Sequence, residues 1–260
     1  MHEFIGTDLR GSRFERADLS GAHLLAVDLA GATFRDADLS GVVMRGVELA
    51  NVDIYGEIMN VTVNGVDIAP LVEAELDRRS PDRPKMRPDD QAGFAAAWDI
   101  LERLWGQTVE RARQMPPDVL HESVGGEWSF IETLRHLVFA TDCWIRRGIL
   151  GDPSPWDALD LPWDGMPDTP GVPRDREARP SLDTVLELRR DRMASVREVI
   201  ESQTDASLDD QTEPVDAPGW PPPSSFLVRE CLRVILNEEW EHRLYAERDL
   251  DALEKVADGS

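Results

Sequence analysis

Large apolar residues recur every five positions through the first part of the chain. The series runs Phe4, Leu9, Phe14, Leu19, Leu24, Leu29, Phe34, Leu39, Met44, Leu49 and Ile54. A small residue precedes most of these centres by two positions, and glycine follows many of them by two positions. A period of five fits neither an α-helix nor a simple strand, and a fixed period of this kind is typical of a solenoid.

Units such as Ala17-Asp18-Leu19-Ser20-Gly21 resemble the pentapeptide-repeat family. The resemblance covers roughly residues 4–58 and implies a right-handed, four-sided β-helix whose central residues fill the axis. About three coils of roughly 4.8 Å each would make a short rod with ends that need caps. We therefore predict a multidomain β + α protein whose first domain, residues 1–60, is a short right-handed quadrilateral β-helix.

Residues 61–89 are predicted to form a capping segment and a linker. Residues 61–68 alternate β-forming side chains around Asn64-Gly65, which indicates a small hairpin. Residues 70–76 predict one or two helical turns. Residues 78–88 are charged and contain several prolines, which predicts an extended segment.

From residue 90 onwards the apolar pattern is helical. We predict four long helices, and hence a four-helix bundle over residues 90–260; the helices cover residues 91–114, 129–149, 181–203 and 224–255. Ser129 and Glu132 have the spacing of a capping box at the start of the second helix. The proline-rich stretch 153–180 is too long for an ordinary connection, so we expect it to be functional or to pack over the bundle.

Composition and net charge limit the kinds of molecule that this protein is expected to bind. The 260 residues carry a formal net charge of -23, which disfavours nonspecific binding to nucleic acids and anionic membranes. No signal peptide and no apolar run of membrane-spanning length is evident, so we predict a cytoplasmic protein. Cys143 and Cys231 lie in apolar helical patterns and are expected to be core thiols. Arginine greatly outnumbers lysine, which hints at a GC-rich genome.

The last predicted helix carries two side chains that are candidates for metal binding. Glu238 and His242 are four residues apart and therefore share one helix face. At about 100° per residue, the other residues near Glu238 on that face are apolar: Leu227, Val228, Cys231, Val234, Ile235, Tyr245 and Ala246. An isolated buried charge is costly, and a divalent metal would satisfy both side chains.

His136 on the second predicted helix also faces the core. With Glu238 and His242 it offers two nitrogens and one oxygen, which leaves a fourth position open, as in catalytic zinc sites. Nickel or ferrous iron would accept similar ligands. The alternative is a core histidine with a hydrogen-bonding neighbour and a glutamate in an inward salt bridge.

Three motifs resemble the DinB-like superfamily: residues 126–129 (Gly-Glu-Trp-Ser), residues 132–137 (Glu-Thr-Leu-Arg-His-Leu) and residues 236–243 (Leu-Asn-Glu-Glu-Trp-Glu-His-Arg). The resemblance covers roughly residues 90–253 and implies a metal-binding four-helix bundle, in many members a thiol S-transferase. The family's usual pattern has three histidines, and here Glu238 stands in place of one of them. A His, Glu, His set is similar to the mycothiol-dependent maleylpyruvate isomerase branch.

The resemblance implies metal ligands His136, Glu238 and His242 and a low-molecular-weight thiol, mycothiol above others, as cosubstrate. The metal would present this thiol as a thiolate that attacks an electrophile. No separate C-terminal domain of the isomerase kind is evident. The sequence assigns no catalytic base, no residue that binds the thiol and no electrophile, and it leaves open whether the protein is an enzyme.

Five residues near the candidate ligands can also be interpreted, two of them with an alternative. Trp128 either lines the site or packs against the core. Glu239 is either an acid behind the ligands or a salt-bridged side chain. Trp240 and Glu241 are interpreted as packing and surface residues. Cys143 is two turns beyond His136, about 10.5 Å along the helix axis, which is too far to bind the same ion.

Two other functions compete with catalysis. The bundle could bind metal without catalysing a reaction, or the repeats could mediate protein contacts, including a homodimer. DNA mimicry by an acidic repeat rod is less favoured, because arginines offset half of the repeat's acidic charges and most of the excess negative charge lies beyond it.

Overall fold

The computed structural model describes residues 2–35 and 37–258, and the chain divides into two units, residues 1–52 and 53–260. The predicted domains 1–60 and 90–260 include residues 1, 36, 259 and 260, which lie outside the described residues. The predicted boundaries at residues 60 and 89 stay predictions.

In the first unit the repeats form a regular series of tight turns. The backbone N–H groups of Ser12, Ala22, Ala32 and Val42 donate to the carbonyl oxygens three residues earlier, over 2.9 to 3.2 Å. The glycine before each donor has a left-handed φ of 71 to 74°, which a residue without Cβ adopts at little cost. The same turn therefore recurs every ten residues, once for each pair of repeats.

The predicted quadrilateral β-helix is not seen in the described part of this unit. No strand is formed there, and the central side chains remain between 40% (Leu9) and 70% (Leu24) exposed. A β-helix buries such residues only when successive coils pair through backbone hydrogen bonds. The backbone hydrogen bonds described above instead close turns within one pair of repeats, so they cover no central side chain.

The second unit begins with the predicted hairpin, which is confirmed. Strand β1 (Thr62–Val63) pairs antiparallel with β2 (Val66–Asp67). Asn64 and Gly65 between them have positive φ values of 50° and 82°, as a two-residue hairpin turn requires.

The segment after the hairpin is more helical than predicted. Helix α1 (Ala69–Arg79) is longer than the one or two turns expected, and a 3₁₀ helix (Arg83–Met86) replaces part of the predicted extended stretch. The reason is a set of ion pairs across the turn. The Arg83 guanidinium donates to Glu73 and Asp77 over 2.6 to 2.9 Å and ties the 3₁₀ helix back to α1.

Four longer helices follow: α2 (Gln91–Ala112), α3 (Phe130–Thr141), α4 (Leu182–Ser202) and α5 (Val228–Asp258). Side chains fix where three of them begin. Asp90 accepts from the Gly93 N–H, and Ser181 accepts from the Thr184 N–H. The predicted capping box is confirmed, because Ser129 and Glu132 bond each other's backbone N–H groups.

The second predicted helix changes geometry before its expected end at residue 149. A π-helical segment (Asp142–Arg147) follows α3, and the N–H groups of Gly148 and Leu150 donate to carbonyls five residues earlier. A Cβ at Gly148 would lie 2.6 Å from the Trp144 carbonyl oxygen, so this close approach needs glycine. Segments of this kind are frequent at functional sites.

Helix α3 packs against α4 and α5, and α2 packs against the same two helices. The described residues contain five α-helices, one more than predicted because α1 extends to three turns. The core between the long helices is apolar and close-packed, with Trp98, Leu101, Leu134, Leu137, Val196 and Ile235 almost wholly buried. None of the described helices combines the length and apolar character needed to cross a bilayer.

Candidate metal centre

Helices α3 and α5 bring His136, Glu238 and His242 together. One possible ligand atom from each residue lies within 4.8 Å of the other two. His136 is buried, while Glu238 and His242 are partly buried. Across the described residues this is the cluster of histidine, cysteine and carboxylate groups that could hold a metal ion. The predicted core-facing direction of all three side chains is confirmed.

His136 is oriented by the proline-rich loop. Its Nδ1 lies 2.9 Å from the Leu161 carbonyl oxygen, to which the ring donates. The proton on Nδ1 leaves the lone pair on Nε2, which lies 3.4 Å from Glu238 Oε2. A histidine whose second nitrogen donates to a backbone carbonyl is a frequent arrangement in metal sites.

His242 is held by its own helix. Its Nδ1 lies 2.9 Å from the Glu238 carbonyl oxygen and 3.3 Å from Glu238 Oε2. Burial lowers the pKa of His242 to about 4, with a further contribution from the charge of His136. The ring is therefore neutral at neutral pH, which is the state that binds metals.

Glu238 has an unusual environment. Its Oε2 is buried and has no hydrogen-bond partner of good geometry, although both imidazoles are near. Burial favours the neutral carboxyl, but the closeness of the His136 ring and then of the His242 ring outweighs it, so the pKa of Glu238 lies below its usual value. A negatively charged oxygen left in this state is costly.

A divalent cation fits this observation. It would satisfy the buried Glu238 oxygen, and the neutral nitrogens of His136 and His242 would complete a nitrogen, nitrogen, oxygen set. The cluster is compatible with a divalent metal site. Zinc, nickel and ferrous iron all accept this donor set, so the geometry does not select among them.

Aromatic rings lie against the two imidazoles. The Trp128 ring lies 4.5 Å from the His136 ring and is stacked 6.0 Å from the His242 ring, measured between centroids. Trp128 is half-buried, so it lines the site and packs at once. Tyr245 stands edge-on to His242 at 6.0 Å, and Phe139 lies 6.1 Å from His136.

The neighbours of the ligands on α5 have structural roles. Glu239 is almost wholly buried and forms a two-pronged salt bridge with Arg189 at 2.7 Å, which agrees with the salt-bridged interpretation. Trp240 packs in the core as expected, and Glu241 is half-buried. Cys143 and Cys231 are buried free thiols, as predicted.

Sequence reasoning missed a buried acidic cluster next to this region. Asp142 is bonded to Arg192 at 2.7 and 2.9 Å, and Asp160 has a buried Oδ1 without a partner. Burial raises the pKa of Asp142 to about 6 against the opposing effect of Arg192. Burial, then the charge of Asp142, raises the pKa of Asp160 well above 3.8. In the sequence the cluster shows only as Asp142 in an otherwise apolar helical pattern and Asp160 in the proline-rich loop.

The loops also border two concavities, and neither is lined by the three ligands. One of about 290 Å³ is lined by Asp168, Thr169, Pro170, Val172 and Arg174. A much smaller one lies beside Arg147 and Pro221. Val172 also packs on the cluster of Phe139, Cys143 and Met166, which connects the larger concavity to the aromatic surroundings of His136.

A comparison with protein-family models matches residues 100–246 to the DinB superfamily, and this match spans more than half of the chain. The chain belongs to the DinB superfamily. Residues 3–36 and 26–56 match pentapeptide repeats, with 8 copies. A search of curated proteins and of solved structures finds no match. Both predicted resemblances are confirmed, and the DinB domain supports a metal-binding protein at the level of the family.

Proposed function

We propose that this DinB-superfamily chain is a metal-dependent thiol S-transferase whose cation is held by His136, Glu238 and His242. The observation that carries the proposal is the buried Glu238 Oε2, which lacks a hydrogen-bond partner and lies 3.3 to 3.4 Å from two imidazole nitrogens. A purely structural glutamate in this position would be expected to have a cationic or hydrogen-bonding partner. Zinc is the preferred cation in the proposal, with nickel or ferrous iron as alternatives.

When bound, such a cation lowers the pKa of a coordinated thiol, so that a low-molecular-weight thiol, here mycothiol, is a thiolate at neutral pH. The protein's own residues set the conditions for this chemistry. Leu161 fixes the ring of His136, and burial keeps His242 neutral. Three protein ligands leave a fourth position for the small molecule.

The half-buried Trp128 covers both imidazoles and limits water around them. Excluding water strengthens the electrostatic interactions within such a site. In the proposal, α2 to α5 act as the four-helix bundle that holds these side chains.

Thiol conjugation tests this proposal. Zinc-loaded protein, mycothiol and a panel of an epoxide, an activated alkene, a halide and a conjugated acid are incubated, and conjugates are measured by mass spectrometry. We expect at least one conjugate, and its loss in a His136→Ala/His242→Ala variant. His121→Ala is the matched control, because His121 is also partly buried but lies in the 3₁₀ helix Val119–His121. Conjugation that survives in the double variant would refute the site.

A second candidate function is protein contact through the repeats. It is favoured by the row of large apolar side chains at the repeat centres, which are 40% to 70% exposed between Leu9 and Leu49. Exposed apolar patches of this extent are typical of interaction surfaces. We propose that a second copy of the chain covers this row, so that the repeats act as an assembly module in addition to the function of the metal centre.

A further inference from the structure

Arg135 precedes the candidate ligand His136 and is fully buried. Its guanidinium donates to three main-chain carbonyls of the proline-rich loop. The Nε–H bonds Leu159 at 2.8 Å, one terminal N–H₂ bonds Ala178 at 3.2 Å, and the other bonds Asp175. Arginine suits this role because its donors are fixed in one plane and point in several directions.

Arg135 and His136 hold the same short segment of the loop. Arg135 bonds the carbonyl of Leu159, and His136 bonds the carbonyl of Leu161, two residues further on. A local turn makes this segment stiff, because the Leu159 N–H donates to the Asp157 side chain and the Asp160 N–H donates to the Asp157 carbonyl. Displacement of Leu159 would therefore carry the Leu161 carbonyl with it.

The burial of this charge needs an explanation other than an ion pair. Two other buried arginines face carboxylates directly, Arg189 on Glu239 and Arg192 on Asp142. The described hydrogen bonds of Arg135 all go to carbonyls. Because its direct bonds among the described residues go to loop carbonyls and not to a carboxylate, this buried guanidinium is suited to fixing the loop.

We propose that Arg135 is a positioning residue for the metal centre: it holds the 157–161 segment so that the Leu161 carbonyl fixes the Nδ1–H form of His136 and directs Nε2 towards the cation. This inference rests on the proposed metal-binding function. It concerns how the 157–161 segment orients the His136 ring. It can therefore be tested on metal-free protein as well as on zinc-loaded protein.

The test compares Arg135→Lys with wild-type protein by two measurements. The first is zinc affinity, from competition with a chromophoric chelator. The second is the tautomer of His136 in metal-free protein, from imidazole ¹⁵N chemical shifts. Lysine keeps the charge but lacks the planar fork. We expect a roughly 10-fold loss of zinc affinity, at the lower end of the effect of outer ligand partners, and a second tautomer of His136.

Arg147→Lys is the matched control. Arg147 is equally buried and donates to the carbonyls of Pro153, Val215, Ala217 and Pro221, none of which belongs to residues 157–161. We expect it to lower the melting temperature without changing the zinc affinity or the tautomer of His136. Equal loss of affinity in both variants would mean that Arg135 is merely structural, and would overturn the inference.

A measurement on wild-type protein covers the case in which Arg135→Lys does not fold. The Arg135 Nε–H signal should exchange slowly with D₂O, because that proton is buried and bonded to Leu159. Rapid exchange would overturn the inference. Failure of wild-type protein to bind zinc would instead refute the proposed function. Tight zinc binding with an unchanged affinity and tautomer in Arg135→Lys would refute the role of Arg135 alone.

Discussion

Glu238 is the residue that turns two neighbouring imidazoles, one buried and one partly buried, into a candidate metal site. Its carboxylate oxygen lies within 3.4 Å of a nitrogen of each ring and has no partner of good geometry. In a three-histidine pattern this position would be neutral. A carboxylate there offsets one unit of a divalent cation's charge, so the cation would be held in a less positive site.

Asp160 provides a prediction about pH at the same scale. Its folded-state pKa is raised well above 3.8 by burial and by the charge of Asp142, whereas the unfolded chain keeps the ordinary value. The folded protein then binds more protons than the unfolded chain above about pH 4, so this residue's contribution to stability is full below that pH and is lost as pH rises. Asp160→Asn cannot titrate and should remove this loss.

Urea unfolding at pH 5 and at pH 8 measures the effect. We expect Asp160→Asn to gain stability relative to wild type as pH rises, by about 1.4 kcal/mol for each unit of pKa shift that is removed. Asp168→Asn is the control, since Asp168 lies exposed in the same loop. An identical pH profile in wild type and Asp160→Asn would show that the Asp160 carboxyl titrates normally.

At the scale of elements, the π-helical turn after α3 depends on one glycine. A Cβ at Gly148 would approach the Trp144 carbonyl oxygen to 2.6 Å, which the helix backbone cannot avoid without shifting. Gly148→Ala should therefore lower the free energy of unfolding by about 1–3 kcal/mol. Guanidinium chloride unfolding measures this change.

Gly106→Ala is the natural comparison for Gly148→Ala. Gly106 lies inside α2, and an added Cβ would meet nothing within 4 Å. Alanine there should raise stability by up to about 1 kcal/mol, because glycine is the weaker helix former. If the two variants change stability in the same direction, the π turn does not constrain residue 148.

Local sequence patterns predicted those features that depend only on residues within a single helix or turn. The Ser129–Glu132 capping box and the Asn64-Gly65 turn depend on neighbours in sequence, and both are confirmed. The shared face of Glu238 and His242 depends only on helical periodicity. The Leu161 carbonyl lies 25 residues from His136, and a backbone acceptor carries no residue signature, so it could not be predicted.

A second limit of sequence patterns is that they do not predict which side chains become buried. The period of five identified the pentapeptide repeats, but it did not predict that their central side chains would remain exposed in the structure. Periodicity identifies equivalent positions, whereas burial depends on which segment covers them. The same limit applies to Asp142 and Asp160, whose burial depends on the packing of the proline-rich loop.

For the whole molecule, the exposed apolar row of the repeats predicts self-association. Replacing Leu19 and Leu39 by aspartate adds two charges to a row that we propose is covered by a second copy. Light scattering after size-exclusion chromatography should show a dimer for wild type and a monomer for this variant. The physical reason is the cost of burying unpaired carboxylates.

The control for the repeat variant carries the same added charge. Ser20→Asp/Ser40→Asp places two carboxylates one position further along, outside the apolar row. It should remain dimeric. A monomeric wild-type protein at micromolar concentration would contradict the assembly role and would leave the metal centre unaffected.

The central claim is that His136, Glu238 and His242 together hold one divalent cation. Anomalous diffraction at the zinc absorption edge, from crystals of zinc-saturated full-length protein, tests it most directly. We expect one strong peak between these three side chains, with ligand distances of about 2.0–2.2 Å. No peak there, or a peak bound by other residues alone, would contradict it.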